Sequence, residues 1–379
     1  MGTSGFAPIL QFGTSRFLQA HVDLFISQAL AQGQALGKIT VVQTTDNPDS
    51  AQRVAALASG EPYPVKIQGL LDGNEINELQ WSSSVQQAIH ASTEWALLRQ
   101  VFASDVQVVI SNTGDNGYRL NTRDTVTLLA PDSPAPESFP AKLLVLLYGR
   151  WLKNPQASLS LFPCELVARN GDVLRDTVVG LAIEWNLVDA FKAYLLTTCR
   201  WANSLVDRIV SQPIQPIGAV AEPYAFWAIE NQAGLVLPCT HPSIILTDTL
   251  EHFEQLKLFT LNLGHSYLAE RWLLDHRAPN ETVCSAMHDE QLRHELEQVW
   301  AQEVLPVFEA LGQLPAAQAY LVNVRDRLLN PFLQHRIADI AQNHQEKKRR
   351  RMRPLVDLAT RVCPSLVQQR LNDALSSVR

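Results

Sequence analysis

The sequence is poor in cysteine and contains no long hydrophobic run. Its 5 cysteines are an odd number, lie far apart and form no CxxC pair, a pattern typical of a reducing compartment rather than of a disulfide framework. The apolar run at residues 143–148 is far shorter than the roughly 20 residues of a membrane-spanning helix. The N-terminus shows neither the charged region nor the apolar core of a signal peptide. We therefore predict a cytoplasmic protein without a membrane segment.

An excess of positive charge is also absent. The 379 residues include 31 Lys and Arg against 38 Asp and Glu, a formal net charge of −7, which argues against binding of nucleic acid or an anionic membrane through the overall field. One basic run, residues 347–353, has no interleaved aromatics, and we interpret it as a solvated helix end in which one or two cations meet a substrate carboxylate. The histidines predict no metal site, because His288 and His294 lie on different faces of a helix.

What the sequence does contain is a strand, turn, helix and strand pattern at its start. A short apolar strand at residues 7–12 precedes a glycine turn, and helical spacing of apolar residues then leads to a β-branched strand at 39–42. In the C-terminal third, long amphipathic helical patterns replace the strands. We predict an α/β N-terminal Rossmann-like doubly wound domain at residues 1–245 and an all-α C-terminal domain at 246–379, with the active site between them.

The turn after the first strand lies where a dinucleotide-binding fold receives the cofactor pyrophosphate. It holds one glycine instead of the three of GxGxxG, so a purely structural turn is an equally good interpretation. Arg16 favours phosphate binding, because a guanidinium can make paired contacts to a phosphate. Asp46 can hold ribose hydroxyls, which favours NAD over NADP, or can cap the following turn. The candidate cofactor-binding residues are Phe12, Gly13, Thr14, Ser15, Arg16, Asp46, Asn112 and Thr113.

Lys257, Asn262 and His265 form the most informative group of polar residues. At about 100° per residue of an α-helix, they lie at roughly 0°, 140° and 80°, within one sector of the helix. Hydride transfer between an alcohol and a ketone needs a base for the hydroxyl proton, a donor that polarises the carbonyl oxygen and a group that orients the substrate. These residue types supply those functions, although on spacing alone a solvated helix face is the better interpretation.

Seven segments along almost the whole chain carry a family resemblance. They are FGTSRFLQAH, SNTGDNGY, FPCELVARNGD, LVDRIV, AEPYAFWAIE, KLFTLNLGHSYL and RLLNPFLQHRI. Their content and order resemble the polyol-specific long-chain dehydrogenases, the mannitol dehydrogenase family. Within it, residues 9–13, 111–113 and 163–166 are most similar to the branch that interconverts altronate and tagaturonate.

The resemblance implies a metal-independent, NAD-linked alcohol dehydrogenase with a Rossmann-like first domain and a helical second domain. The family's K-x4-N-x2-H motif falls on Lys257 as general base, Asn262 as the donor to the substrate oxygen and His265 as a substrate ligand. Two further family positions fall on Asp207 and Lys347, which are expected to bind substrate.

The sequence also departs from the family pattern. The triplet at residues 164–166 lacks the asparagine of mannitol dehydrogenases, which argues against mannitol as the substrate. Ser15 replaces a second glycine, Gln19 replaces an arginine, and the helical domain is expected to be shortened at its C-terminus.

The predicted function is that of an NAD-dependent oxidoreductase that interconverts a sugar acid such as altronate and its ketose, with a lysine as acid and base. Two alternatives remain open. One is a dehydrogenase of the same family acting on mannonate, fructuronate or a polyol, and the other is a degenerate relative that binds nucleotide or sugar acid without turnover. The expected partner is a small molecule, and the sequence leaves open whether the protein is a monomer or a homodimer.

Overall fold

The computed structural model describes residues 6–46, 48–114 and 116–377. Asp115, in the predicted SNTGDNGY segment, lies outside these described residues. The chain folds into two units. Among the described residues, the first takes in those up to Ile67, Glu78–Ala221 and Ala225–Leu250, and the second takes in Gln68–Asn77, Glu222–Tyr224 and those from Glu251 onwards.

The strands, numbered along the chain, are β1 (Ile9–Phe12), β2 (Ile39–Gln43), β3 (Tyr63–Leu71), β4 (Asn74–Ser82), β5 (Val85–His90), β6 (Val108–Ser111), β7 (Leu159–Pro163), β8 (Cys199–Trp201), β9 (Ser204–Asp207), β10 (Val210–Pro213), β11 (Ala219–Ala221), β12 (Phe226–Glu230) and β13 (Ile244–Thr247). Within the described residues they form three sheets, with strand orders β5-β2-β1-β6-β7-β8, β10-β11-β3-β4 and β13-β12-β9.

The six-stranded sheet is the centre of the first unit. All its neighbouring strands are parallel. Every residue of β1, β2, β6 and β7 is buried, as expected for a parallel sheet covered on both faces. The strand order is that of a doubly wound nucleotide-binding fold, which confirms the predicted Rossmann-like architecture.

Helices connect these strands in the first unit. The segment after Gly13, predicted as one helix, is two, which meet at His21, where the backbone is not helical (φ −121°, ψ −94°). The helices are α1 (Arg16–Ala20), α2 (Val22–Ala31), α3 (Pro48–Ala58), α4 (Trp95–Phe102), α5 (Phe139–Lys153), α6 (Asn170–Glu184) and α7 (Asp189–Thr197), with a 3₁₀ turn at Val126–Leu129.

From Leu250 onwards every named element in the described chain is a helix, which confirms the prediction for the C-terminal part. The helices are α8 (Leu250–Leu256), α9 (Leu263–Leu274), α10 (Val283–His288), α11 (Glu290–Val299), α12 (Leu305–Ala310), α13 (Leu314–Leu328), α14 (Ile337–Ile340), α15 (His344–Arg351), α16 (Arg353–Val362) and α17 (Gln369–Ser376). Two π-helical segments interrupt the α-helical run, Lys257–Asn262 and Trp300–Val304. No helix in the described part of the chain combines the length and apolar character that crossing a membrane requires.

Two short segments from earlier in the chain complete the second unit. Arg327 and Glu222 form an ion pair whose closest N···O distance is 2.8 Å, with both side chains almost fully buried. Asn330 donates from Nδ2 to the Gln68 carbonyl oxygen at 3.2 Å. Because a buried guanidinium and carboxylate must stay paired, these contacts hold both segments to the end of α13.

Candidate active site

The turn after β1 lies where the strand order of the parallel sheet reverses. β1 pairs with β2 on one side and with β6 on the other. Open α/β sheets bind ligands in the crevice at such a reversal, beyond the carboxyl ends of the strands. Gly13 follows β1, and Asn112 and Thr113 follow β6. These predicted cofactor-binding residues therefore lie at one edge of the sheet.

Gly13 is required by the close approach of the two strand ends. Its φ is +114°, and a Cβ built on it would lie 2.5 Å from the Asn112 carbonyl oxygen. Its N–H donates to the Val42 carbonyl oxygen at 2.9 Å. Gly13 thus has a structural reason to be glycine, in addition to any role beside a cofactor.

Replacement of Gly13 by alanine is expected to destabilise the protein more than the same change at Gly33. Gly33 has a φ of +69° with no atom within 4 Å of the added Cβ, so Gly33→Ala costs about 1–2 kcal/mol of backbone strain. Gly13→Ala adds the clash with Asn112, about 1–3 kcal/mol more. Urea unfolding of both variants measures the difference. Equal losses would contradict the close packing of the turn.

Polar side chains hold the rest of the turn. Thr14 Oγ1 donates to Gln43 Oε1 at 2.6 Å. Ser15 is the N-cap of α1, because its Oγ accepts from the Leu18 N–H at 3.3 Å. Gln19, which is buried, donates from Nε2 to the Thr14 carbonyl oxygen at 3.1 Å. Ser15 and Gln19, the two departures from the family pattern, therefore stabilise the turn. Gln43, at the end of β2, stabilises it as well.

Phe12 and Arg16 flank this turn with opposite exposure. The Phe12 side chain is fully buried and packs on Phe139, with ring centroids 5.2 Å apart, so it serves the core. Arg16 is exposed at the first residue of α1. Its guanidinium is accessible to a phosphate at this edge of the sheet.

Glu165, which follows β7, organises the loop after β6. Its buried carboxyl group accepts from Ser111 Oγ, from Tyr118 OH and from both the N–H and Oγ1 of Thr113, each at 3.0 Å. Asn112 donates from Nδ2 to the Cys164 carbonyl oxygen at 2.8 Å. The sequence patterns did not indicate Glu165, although an acid directly after a buried strand at this sheet edge was a usable signal.

A cavity of about 330 Å³ opens at the carboxyl ends of β2 and β6. Thr44, Thr45 and Thr113 line it together with the Lys142 side chain. Its volume is within the range of small-molecule sites, and its hydroxyl and ammonium groups suit the polar atoms of an adenosine. Asp46 follows the lining residue Thr45 and has an exposed side chain that accepts a hydrogen bond from Ser92 Oγ at 2.6 Å. The residues present therefore fit a dinucleotide cofactor.

The motif Lys257, Asn262 and His265 begins in a π-helix, which corrects the α-helical spacing used in the prediction. Lys257 is the first and Asn262 the last residue of the π-helical segment, and His265 lies in α9. A π-helix closes through i→i+5 hydrogen bonds, so residues five apart lie about one turn apart. The directions of Lys257 and Asn262 around the helix axis therefore differ less than they would in an α-helix. π-bulges are frequent at functional sites.

A group of basic side chains lies beside His265. The His265 and His335 rings are 5.0 Å apart between centroids. Arg351 donates from Nη1 to Ser266 Oγ at 3.3 Å, and Lys347 donates from Nζ to the Ile340 carbonyl oxygen at 2.7 Å. Their helix, α15, packs on both the π-helical segment and α9.

Lys347 and Arg351 repel each other as cations, and both disfavour a protonated His335. Burial and the charges of Arg351 and Arg350 lower the pKa of Lys347. Burial lowers the pKa of His335, and among its charged neighbours Lys347 and Arg351 lower it further whereas Asp339 raises it. Burial and Arg350 lower the pKa of Arg351. An anion bound among these groups would relieve the repulsion.

Asp207 belongs to the first unit, at the end of β9. It is almost fully buried and lies near His21, whose pKa burial lowers to about 3, with Arg208 lowering it and Asp207 raising it. Arg208 donates from Nη1 to the Ala20 carbonyl oxygen at 2.7 Å. Asp207 is thus part of a buried polar group around the end of α1, whereas Lys257 and Lys347 belong to the second unit.

The parallel nucleotide-binding sheet, the helical second unit and the lysine, asparagine and histidine motif together define a two-domain dehydrogenase. A family model for the mannitol dehydrogenase Rossmann domain matches residues 7–236, and a model for the mannitol dehydrogenase C-terminal domain matches residues 249–367. The chain belongs to the mannitol dehydrogenase family.

Known proteins similar to this chain agree with that assignment. It is 30% identical to altronate oxidoreductase of Halalkalibacterium halodurans, covering 91% of this chain and 69% of the relative, and 29% identical to that of Bacillus subtilis, covering 91% and 74%. The fold resembles that of a D-sorbitol dehydrogenase (TM-score 0.78, 17% identity, 94% of this chain and 77% of the other). It also resembles Pseudomonas fluorescens mannitol 2-dehydrogenase in a complex with NAD and D-mannitol (TM-score 0.74, 16% identity, 98% and 79%).

These findings make the protein an oxidoreductase acting on CH–OH groups, a sugar acid or polyol dehydrogenase. They confirm the predicted family and fold. The Rossmann-type domain suits a nicotinamide cofactor. The individual site residues stay predictions.

Proposed function

We propose that the protein is an NAD-dependent oxidoreductase that interconverts a sugar acid such as altronate and its ketose, tagaturonate, by hydride transfer. The observation that carries this proposal is the group of cations beside His265. Lys347 and Arg351 lie beside the paired rings of His265 and His335, and the mutual repulsion of these two cations favours a bound carboxylate. A neutral polyol would not relieve that repulsion.

In the proposed reaction, Lys257 accepts the proton of the substrate hydroxyl during oxidation and returns it during reduction. The Asn262 amide donates a hydrogen bond to the substrate oxygen as it gains charge, and His265 orients the sugar. Asp207 and Lys347 are proposed to bind the remaining polar groups of the substrate. When bound, the nicotinamide supplies the hydride acceptor.

The identity of the cofactor is proposed from the end of β2. The exposed Asp46 carboxyl group, held by Ser92, is suited to accept hydrogen bonds from ribose hydroxyls. The negative charge disfavours a 2′-phosphate at the same place, which supports NAD over NADP. Gly13, Thr14, Ser15, Arg16, Asn112 and Thr113 are proposed to surround the rest of the cofactor, with Phe12 packing beneath them.

Loss of the cations is expected to affect acidic substrates selectively. Lys347→Gln and Arg351→Gln should each raise the KM for tagaturonate about 10–100-fold, because each removes a charged hydrogen bond to the carboxylate. The KM for the uncharged ketose fructose should change little. Arg349→Gln is the control, because Arg349 is exposed on the same helix.

A substrate panel followed by nicotinamide absorbance tests the whole proposal. The expected result is faster NADH oxidation with tagaturonate than with fructose or fructuronate. Preference for fructose, or equal losses on acidic and neutral ketoses in the two variants, would overturn the sugar-acid assignment. A protein that binds NADH and turns over no member of the panel would support the non-catalytic alternative.

A further inference from the structure

Lys142 lies in a place where its charge is unfavourable for the fold. The side chain is 4% exposed and stands at the end of the first turn of α5, near the positive end of the helix dipole. Burial lowers the pKa of Lys142, and the charges of Asp124, Glu137 and Asp46 oppose that effect. A buried ammonium at a helix N-terminus needs hydrogen-bond acceptors to offset its desolvation.

The protein supplies few of those acceptors. Among the described residues, Lys142 Nζ donates one hydrogen bond, to the Glu137 carbonyl oxygen at 2.8 Å. Asp124 already accepts from the Ser138 N–H and Oγ. Since an ammonium has three N–H donors, two are left for a bound molecule, and Lys142 lines the cavity with Thr44 and Thr113.

We infer that Lys142 binds the adenosine ribose of the cofactor, donating to a hydroxyl oxygen whose hydrogen is donated to Asp46. This inference rests on the proposed function, and it adds a cofactor-binding residue from α5. Hydroxyl groups both accept and donate, so a ribose diol matches a cation on one side and a carboxylate on the other. Asp46 supplies the selection against a 2′-phosphate, because its carboxylate repels the phosphate, whereas Lys142 alone would attract it.

Titrations of NADH and NADPH test the inference, with binding followed by nicotinamide fluorescence and folding checked by thermal unfolding. Lys142→Met should raise the Kd for NADH at least tenfold, because it removes a charged donor. Lys153→Met is the matched control, because Lys153 is exposed in the last turn of the same helix. If Lys142→Met does not fold, Lys142→Gln, which keeps a donor for the Glu137 carbonyl oxygen, should show the same loss.

The double variant separates the roles of the two charges. Asp46→Asn should tighten NADPH binding at least tenfold relative to NADH, and Lys142→Met in that background should abolish the gain. An unchanged Kd for NADH in a folded Lys142 variant would overturn the inference while leaving the proposed function in place. A wild-type protein that binds neither NADH nor NADPH would instead overturn the proposed function and this inference together.

Discussion

Replacement of Lys257 by alanine is expected to lower turnover of the best sugar-acid substrate by about 10²–10⁴-fold, the contribution of a positioned proton-transfer group. Lys257 is half-buried at the first residue of the π-helical segment, and its amine is proposed to meet the substrate rather than the cofactor. The Kd for NADH should therefore change little. Lys192→Ala is the control, because Lys192 pairs with the exposed Asp189 on the surface of the first unit.

The pH dependence gives an independent test of the same role. Oxidation uses the neutral amine of Lys257 and reduction uses its ammonium form, so oxidation should rise and reduction should fall as the pH is raised. In Lys257→Ala this opposite dependence should be lost, and added small amines should restore part of the activity. Wild-type turnover, or an unchanged pH profile in the alanine variant, would refute the assigned role and most of the proposed mechanism.

The parallel sheet could be predicted because its signals are local. Buried strands such as β1 and β2 are mainly apolar runs, and the glycine between the first strand and the first helix marks the turn. Gly13 and Asn112 could be placed at one edge because carboxyl ends of parallel strands meet there. The same reasoning could not reveal that Gly13 is packed against the Asn112 carbonyl oxygen, since that contact depends on how closely the two strand ends approach.

The π-helical geometry at Lys257 could not be predicted, because apolar spacing indicates a helix without giving its local winding. Part of its support is distant in sequence. Trp300, which begins the second π-helical segment, donates from Nε1 to the Thr260 carbonyl oxygen at 3.3 Å. The π-helical winding therefore depends in part on contacts between residues distant in the sequence. The angles predicted around an α-helix axis for Lys257 and Asn262 were wrong for that reason.

The other site groups that the sequence did not reveal are also positioned by contacts between residues far apart in the chain. Glu165 receives its hydrogen bonds from residues 47–54 positions earlier in the chain. Arg351 lies within a basic run that was predicted, but only the packing of α15 on α9 shows which of its cations lie beside His265. The sequence of a basic run does not show which cations are exposed to solvent, as Arg349 is, and which are half-buried.

Asn262→Ala is expected to lower kcat by about 10²–10³-fold, the usual effect of removing one donor to a developing oxyanion. Asn262 ends the π-helical segment directly before α9. The local winding of that segment therefore sets the direction of the Asn262 amide group. The loss should appear in kcat more than in KM, because the hydrogen bond strengthens only as the substrate oxygen gains charge.

Asn262→Asp distinguishes this electrostatic role from a packing role. Aspartate has nearly the same shape, yet its carboxylate accepts instead of donating and repels a developing oxyanion, so its kcat should fall at least as far as that of the alanine variant. The Kd for NADH should stay within about twofold in both, as it should in Gln255→Ala, a control from α8 whose side chain bonds to Glu251. If Asn262→Asp retained near wild-type kcat while Asn262→Ala did not, Asn262 would fill space rather than stabilise charge, and the donor would have to be another group.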